Sequence, residues 1–149
     1  MVGGKIVDDP GEQVNIPEPL PADKGAEKFI PSTKILIGAE YIRYDGIQRS
    51  LHSDGRFIMK AKDPDHFVIE SGKYDILIID KISGGYGGKA ADNILSQLNP
   101  HSKVILLSVS PEKESGMPEN VTVLNLRDWD GLKNTVAEME KSIRANRNK

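Results

Sequence analysis

The chain has 149 residues, enough for one domain of ordinary size with a tail. Its 20 Lys and Arg against 22 Asp and Glu leave a net charge of -2, so neither a basic field for nucleic acid nor an acidic solvating block is present. There is no cysteine, which excludes disulfides, thiolate zinc sites and thiol nucleophiles. The three histidines, His52, His66 and His101, show no ligand spacing. No apolar run approaches the ~20 residues of a membrane helix. The N-terminus lacks the apolar core of a signal peptide, so a cytoplasmic protein with no membrane partner is expected.

Residues 1–33 carry Pro10, Pro17, Pro19, Pro21 and Pro31, with only isolated apolar residues between them. Such a segment makes neither a regular helix nor a central strand. It reads as an extended arm or linker, resting on the domain through Phe29 and Ile30; a docking peptide is the alternative. Lys5-Ile6-Val7-Asp8-Asp9 imitates a strand ending in an acidic pair, but two apolar residues are too few to support it.

From Lys34 the pattern is regular, and the domain is read as 34–145 with a basic tail at 146–149. Ile35–Ile37 is a first strand closed by Gly38-Ala39-Glu40. Tyr41–Ser53 follows as an amphipathic helix with Ile42, Ile47 and Leu51 inward, and Asp54-Gly55 stops it. Arg56–Ala61 is a second strand. Asp63-Pro64 caps and opens a short helix that ends near Gly72. Ile76–Ile79, four consecutive aliphatic residues, suits a central strand covered on both faces. Asp80 sits at its tip, above a loop containing Gly84, Gly85, Gly87 and Gly88. A helix over Lys89–Leu98 comes next, then a strand over Val104–Leu107 ending at Ser108. Pro111, Gly116 and Pro118 preclude a long helix before the fifth strand, Val121–Leu126. Asp128 or Asp130 caps a last helix with Leu132, Val136, Met139 and Ile143 at helical spacing; its basic end, with Arg144, Arg147 and Lys149, suits the helix dipole. Alternating strands and helices of this kind make a doubly wound, flavodoxin-like five-stranded parallel sheet in which the helix between strands 4 and 5 is shortened or missing.

In such a sheet, ligands bind outside the carboxyl ends of the strands. Those ends bring Glu40, Asp80, Ser108 and Arg127 toward one crevice. Two carboxylates there could hold a hard divalent cation. A hydroxyl and a guanidinium could neutralise a phosphoryl group carried by Asp80 as an acyl phosphate. Equally, all four could be ordinary polar residues that end buried strands. Trp129 packs the last helix onto the sheet or anchors a partner; Tyr86 shields or gates the crevice.

Residues 34–145 resemble a response-regulator receiver domain of two-component phosphorelay signalling. Asp80 and Gly88 match that family's phosphoacceptor and the glycine eight residues on; Ser108 matches its fourth-strand hydroxyl, and Ile47, Leu51 and Gly55 fit its first helix. The resemblance implies an Mg²⁺ site built from Glu40, Asp80 and the backbone carbonyl of Ile82. It also implies catalytic roles for Asp80, Ser108 and Arg127. The partner would be a histidine kinase or a downstream signalling protein, with no nucleic acid.

The departures are chemical. The family's acidic pair is reduced to Ala39-Glu40, its Lys aligns with Arg127, the following Pro is Asp128, and the Met-Pro pair is Ser83-Gly84. Losing one carboxylate from a Mg²⁺ site costs a few kcal/mol of binding, and Arg is not a neutral exchange for Lys. These changes favour a degenerate receiver, or pseudo-receiver, that acts through protein contacts. A conventional Mg²⁺-dependent receiver phosphorylated on Asp80, with at most self-phosphorylation and hydrolysis as its chemistry, is the alternative. A flavodoxin-like binder of a small phosphate-bearing ligand at the Gly84–Gly88 loop is a third reading, although that loop matches no nucleotide-binding fingerprint.

Overall fold

The computed structural model describes residues 33–82 and 84–147; the proline-rich segment 1–32, Ser83 and the last two residues lie outside the described residues. In chain order the elements are β1 (Thr33–Gly38), α1 (Tyr41–Leu51), β2 (Arg56–Lys60), α2 (Pro64–Glu70), β3 (Ile76–Asp80), α3 (Lys89–Gln97), β4 (Lys103–Ser108), β5 (Val121–Asn125) and α4 (Trp129–Arg147). The strands form one parallel sheet in the order β2-β1-β3-β4-β5. The order reverses direction between β1 and β3, and their carboxyl ends flank the crevice where such sheets place ligands.

The sheet is covered on both faces because alternate residues of its central strands point opposite ways. Ile35, Ile37, Ile76, Ile78, Ile105 and Leu107 face α1 and α4, meeting Ile47, Leu51, Leu132 and Val136. Leu36, Leu77, Ile79, Val104 and Leu106 face α2 and α3, meeting Phe67, Ala91 and Ile94. All of β3 is buried, Asp80 included. β2 is an edge strand, with Ile58 packed inward and Phe57 and Met59 partly exposed.

Three local differences from the sequence reading have geometric causes. Ile42 is 85% exposed, and Tyr44 takes the inward place with Ile47 and Leu51. Five residues turn a helix by about 500°, which leaves Ile42 about 140° away from Ile47. The first strand starts at Thr33, whose amide donates to the Gly55 carbonyl at 3.1 Å and so belongs to the sheet rather than to the arm. The last helix runs through Arg147, two residues past the expected end of the domain. Between β4 and β5 only a three-residue 3-10 turn forms, Pro111–Lys113, as the prolines and glycine there require.

Asp63 caps α2 by accepting from the His66 amide at 2.9 Å, with Pro64 at the first turn. Asp128 caps α4 by accepting from the Gly131 amide at 2.9 Å. α4 is tied to the sheet by more than apolar packing. Arg56 Nε and Nη2 donate to the two Glu140 oxygens at 2.8 and 2.6 Å, and Arg56 Nη1 donates to the Leu51 carbonyl at 2.8 Å.

Candidate functional site

Asp80 ends β3 in register with Leu107 of β4, so its carboxylate stands at the centre of the sheet's carboxyl edge. It is fully buried. A buried carboxylate requires a partner, and Arg43, in the first turn of α1, is one. Arg43 Nε donates to Asp80 Oδ2 at 2.9 Å and Nη2 to Oδ1 at 3.2 Å, a fork-on-fork contact in which both oxygens are engaged. Nη2 also donates to the Leu126 carbonyl at 3.2 Å, just beyond β5. The guanidinium lies 5.5 Å from the Trp129 ring centre, within cation-π range. One side chain therefore connects the tip of β3, the exit from β5 and the start of α4.

Ser108 ends β4 in register with Asn125. Its hydroxyl donates to Glu114 Oε2 at 2.7 Å, while Lys81 Nζ donates to Glu114 Oε1 at 2.7 Å. The hydrogen bond from Lys81 is the main reason the Glu114 carboxyl is held below its ordinary value; the Ser108 hydroxyl adds to this, and burial opposes it. The β4–β5 connection is thus folded back over the strand tips. Asn125 Nδ2 reinforces it by donating to the Val109 carbonyl at 3.3 Å.

Glu40 precedes α1 as an exposed N-cap residue, with its carboxylate against Gly84: a Cβ there would fall 2.6 Å from Oε2. Ile82 follows β3 with its side chain 53% exposed. Arg127 lies beyond β5 with its side chain exposed, and its amide donates to Asn125 Oδ1 at 2.8 Å. Of the four strand-tip residues singled out in the sequence, Asp80 and Ser108 sit on adjacent buried strand ends. Each is held by a residue the sequence reading did not choose.

Arg43 left a faint signal. It lies three residues after Glu40, in a first turn that contains no acidic residue, where a cation opposes the helix dipole. Lys81 is adjacent to Asp80 in sequence. Glu114 left none, because nothing in a proline-bounded loop tells where its carboxylate will land.

Mg²⁺ requires several oxygen ligands in near-octahedral array. At Asp80 the two oxygens face N–H donors of a guanidinium instead. Among the described residues no three His, Cys, Asp or Glu side chains cluster as a metal site needs.

Tyr86 closes the β1 side of the crevice. A Cβ on Gly38 would lie 2.6 Å from Tyr86 Cε2, so only glycine lets that ring settle over the end of β1. Tyr86 meets Phe67 edge to face at 6.2 Å. Its buried hydroxyl has no hydrogen-bond partner among the described residues. Burial, assisted by the charge of Asp63, pushes the phenol up to about 12. Trp129 packs against the α1–α4 side of the core.

The architecture is that of response-regulator receiver domains. The chain is similar to a receiver domain protein of Bacillus halodurans, with 17% identity over 73% of this chain and 97% of that one and a TM-score of 0.57. It is similar to the receiver domain of the Francisella response regulator 1452, at 18% identity over 74% of this chain and 98% of that one, with a TM-score of 0.55. It is also similar to the anti-anti-sigma factor PhyR of Bartonella quintana, at 14% identity over 86% and 56% of the two chains, with a TM-score of 0.56. No protein-family model matches the sequence. No curated protein matches it either.

Proposed function

We propose that this domain is a receiver-like signalling module that works through contacts with protein partners and not through phosphoryl transfer on Asp80. The observation that carries the reading is the two-point grip of Arg43 on Asp80. Acyl phosphate formation needs a carboxylate oxygen free to attack and a cation that bridges it to the incoming phosphoryl group. The guanidinium supplies charge but no open coordination site, and it directs donors at both potential nucleophiles. The Ser108 hydroxyl, which would steady a phosphoryl oxygen, donates to Glu114 instead. The likeness to receiver domains of response regulators supports the signalling class, and the likeness to an anti-anti-sigma factor supports a protein as the binding partner.

The test is incubation with Mg²⁺ and acetyl phosphate, read by intact mass, with beryllofluoride and Trp129 fluorescence in parallel. The expected result is no adduct and no Mg²⁺-dependent change in emission. A phosphoryl adduct that disappears in Asp80→Asn would overturn the proposal and establish a conventional phosphoacceptor.

A further inference from the structure

We propose that the pocket beside the tip of β4 binds a small aliphatic carboxylate, a monoanion with a short apolar body. The pocket measures about 450 Å³ and is lined by Lys81, Ile82, Gly88, Ser108, Val109, Ser110, Lys113 and Glu114, a volume within the range of small-ligand sites. Its charges fix the sign of the ligand. Lys81 and Glu114 neutralise each other at 2.7 Å. Lys113, exposed at the end of its 3-10 turn, has no ion-pair partner among the described residues, which leaves the lining one positive charge in excess.

The walls fix the rest of the ligand. Ile82 and Val109 are 53% and 62% exposed, and both face this pocket. Large apolar side chains that line a pocket are covered favourably by a ligand with an alkyl body. Gly88, the N-cap of α3, also lines the pocket; no side chain caps that helix, and Asp92 in its first turn offsets its positive end, so the net charge of the lining rests on Lys113. Neither Asp80 nor Arg43 lines this pocket, so the assignment does not depend on how Asp80 is used.

Amide NMR titrations of the full chain with hexanoate, hexanol and inorganic phosphate test the proposal, alongside the surface variant Lys113→Gln. Hexanoate is expected to shift the amides of Lys81, Ile82, Gly88, Val109 and Lys113 and to saturate below roughly 10 mM. Lys113→Gln should weaken it about tenfold, the effect of losing one charged contact, while leaving the rest of the spectrum unchanged. Hexanol binding as tightly as hexanoate would remove the charge argument. Phosphate binding as tightly would remove the apolar one and leave a generic anion site. Unmoved pocket amides at that concentration, or an unchanged affinity in Lys113→Gln, would overturn the assignment.

Discussion

Arg43 stands where the dipole of α1 disfavours a cation, and it does so because Asp80 outweighs the dipole. A partly buried first-turn charge against a dipole costs about 0.3–2 kcal/mol, whereas a fully buried carboxylate left alone costs several. The pair is therefore coupled: each side chain is tolerable because the other is present. Arg43→Gln and Asp80→Asn are each expected to destabilise the domain by about 2–4 kcal/mol in urea denaturation. The double variant should recover about 1–3 kcal/mol relative to the sum. Strict additivity of the two would show that the contact contributes nothing. Because the guanidinium lies over Trp129, its loss should also change Trp129 emission in the folded state.

At the scale of elements, α4 is fastened to the sheet at two levels. Leu132 and Val136 bury an apolar stripe in the core, and Glu140, almost fully buried, takes the fork of Arg56 at the edge strand. Burial alone would raise the Glu140 carboxyl; hydrogen bonds from Arg56 and Thr33, with the charges of Arg56 and Arg144, outweigh it and hold the group below its ordinary value of 4.5. A folded-state value below the unfolded one gives stability that is present above about pH 4.5 and is lost as pH falls through the folded value. Glu114 is lowered likewise and works in the same direction. Unfolding free energy is expected to decline below about pH 4.5, and Glu140→Gln should flatten that decline while lowering stability near neutrality by about 1–3 kcal/mol. An unchanged acid limb in the variant would mean that the ion pair is not what acid breaks.

At the scale of the described domain, the strand tips of a doubly wound sheet are engaged by the chain's own side chains. Arg43 holds the tip of β3, Glu114 joins the tip of β4 to Lys81, and Tyr86 covers the end of β1. A ligand that binds only the folded state raises the melting temperature by mass action. If, as proposed, the Arg43 guanidinium stands in the place of the cation, the domain should melt at the same temperature in millimolar Mg²⁺ and in chelator. A clear rise with Mg²⁺ would contradict the proposed mode of action. None of the described helices is long and apolar enough to cross a membrane, and the exposed apolar side chains are instead dispersed among strand ends, an edge strand and helix surfaces.

The alternation of strands and helices, the apolar runs at 76–79 and 104–107, the shortened or missing helix after β4 and the Asp63 cap were legible in the sequence, and Asp128 was one of two candidates for the last cap. Each is set by local chemistry: β-branched runs, turn residues and helical spacing act within a few residues. The placement of Asp80 and Ser108 on neighbouring strand tips followed from the fold class. Ile42 was misread because a spacing of five imitates four on paper but not on a helix. What only the tertiary structure decided is which groups those tips meet. Arg43 and Asp80 are 37 residues apart, Arg56 and Glu140 are 84 apart, and Glu114 reaches Lys81 across 33. Such pairs are selected by the cost of leaving a charge unpaired where distant segments pack together, and no local pattern records it.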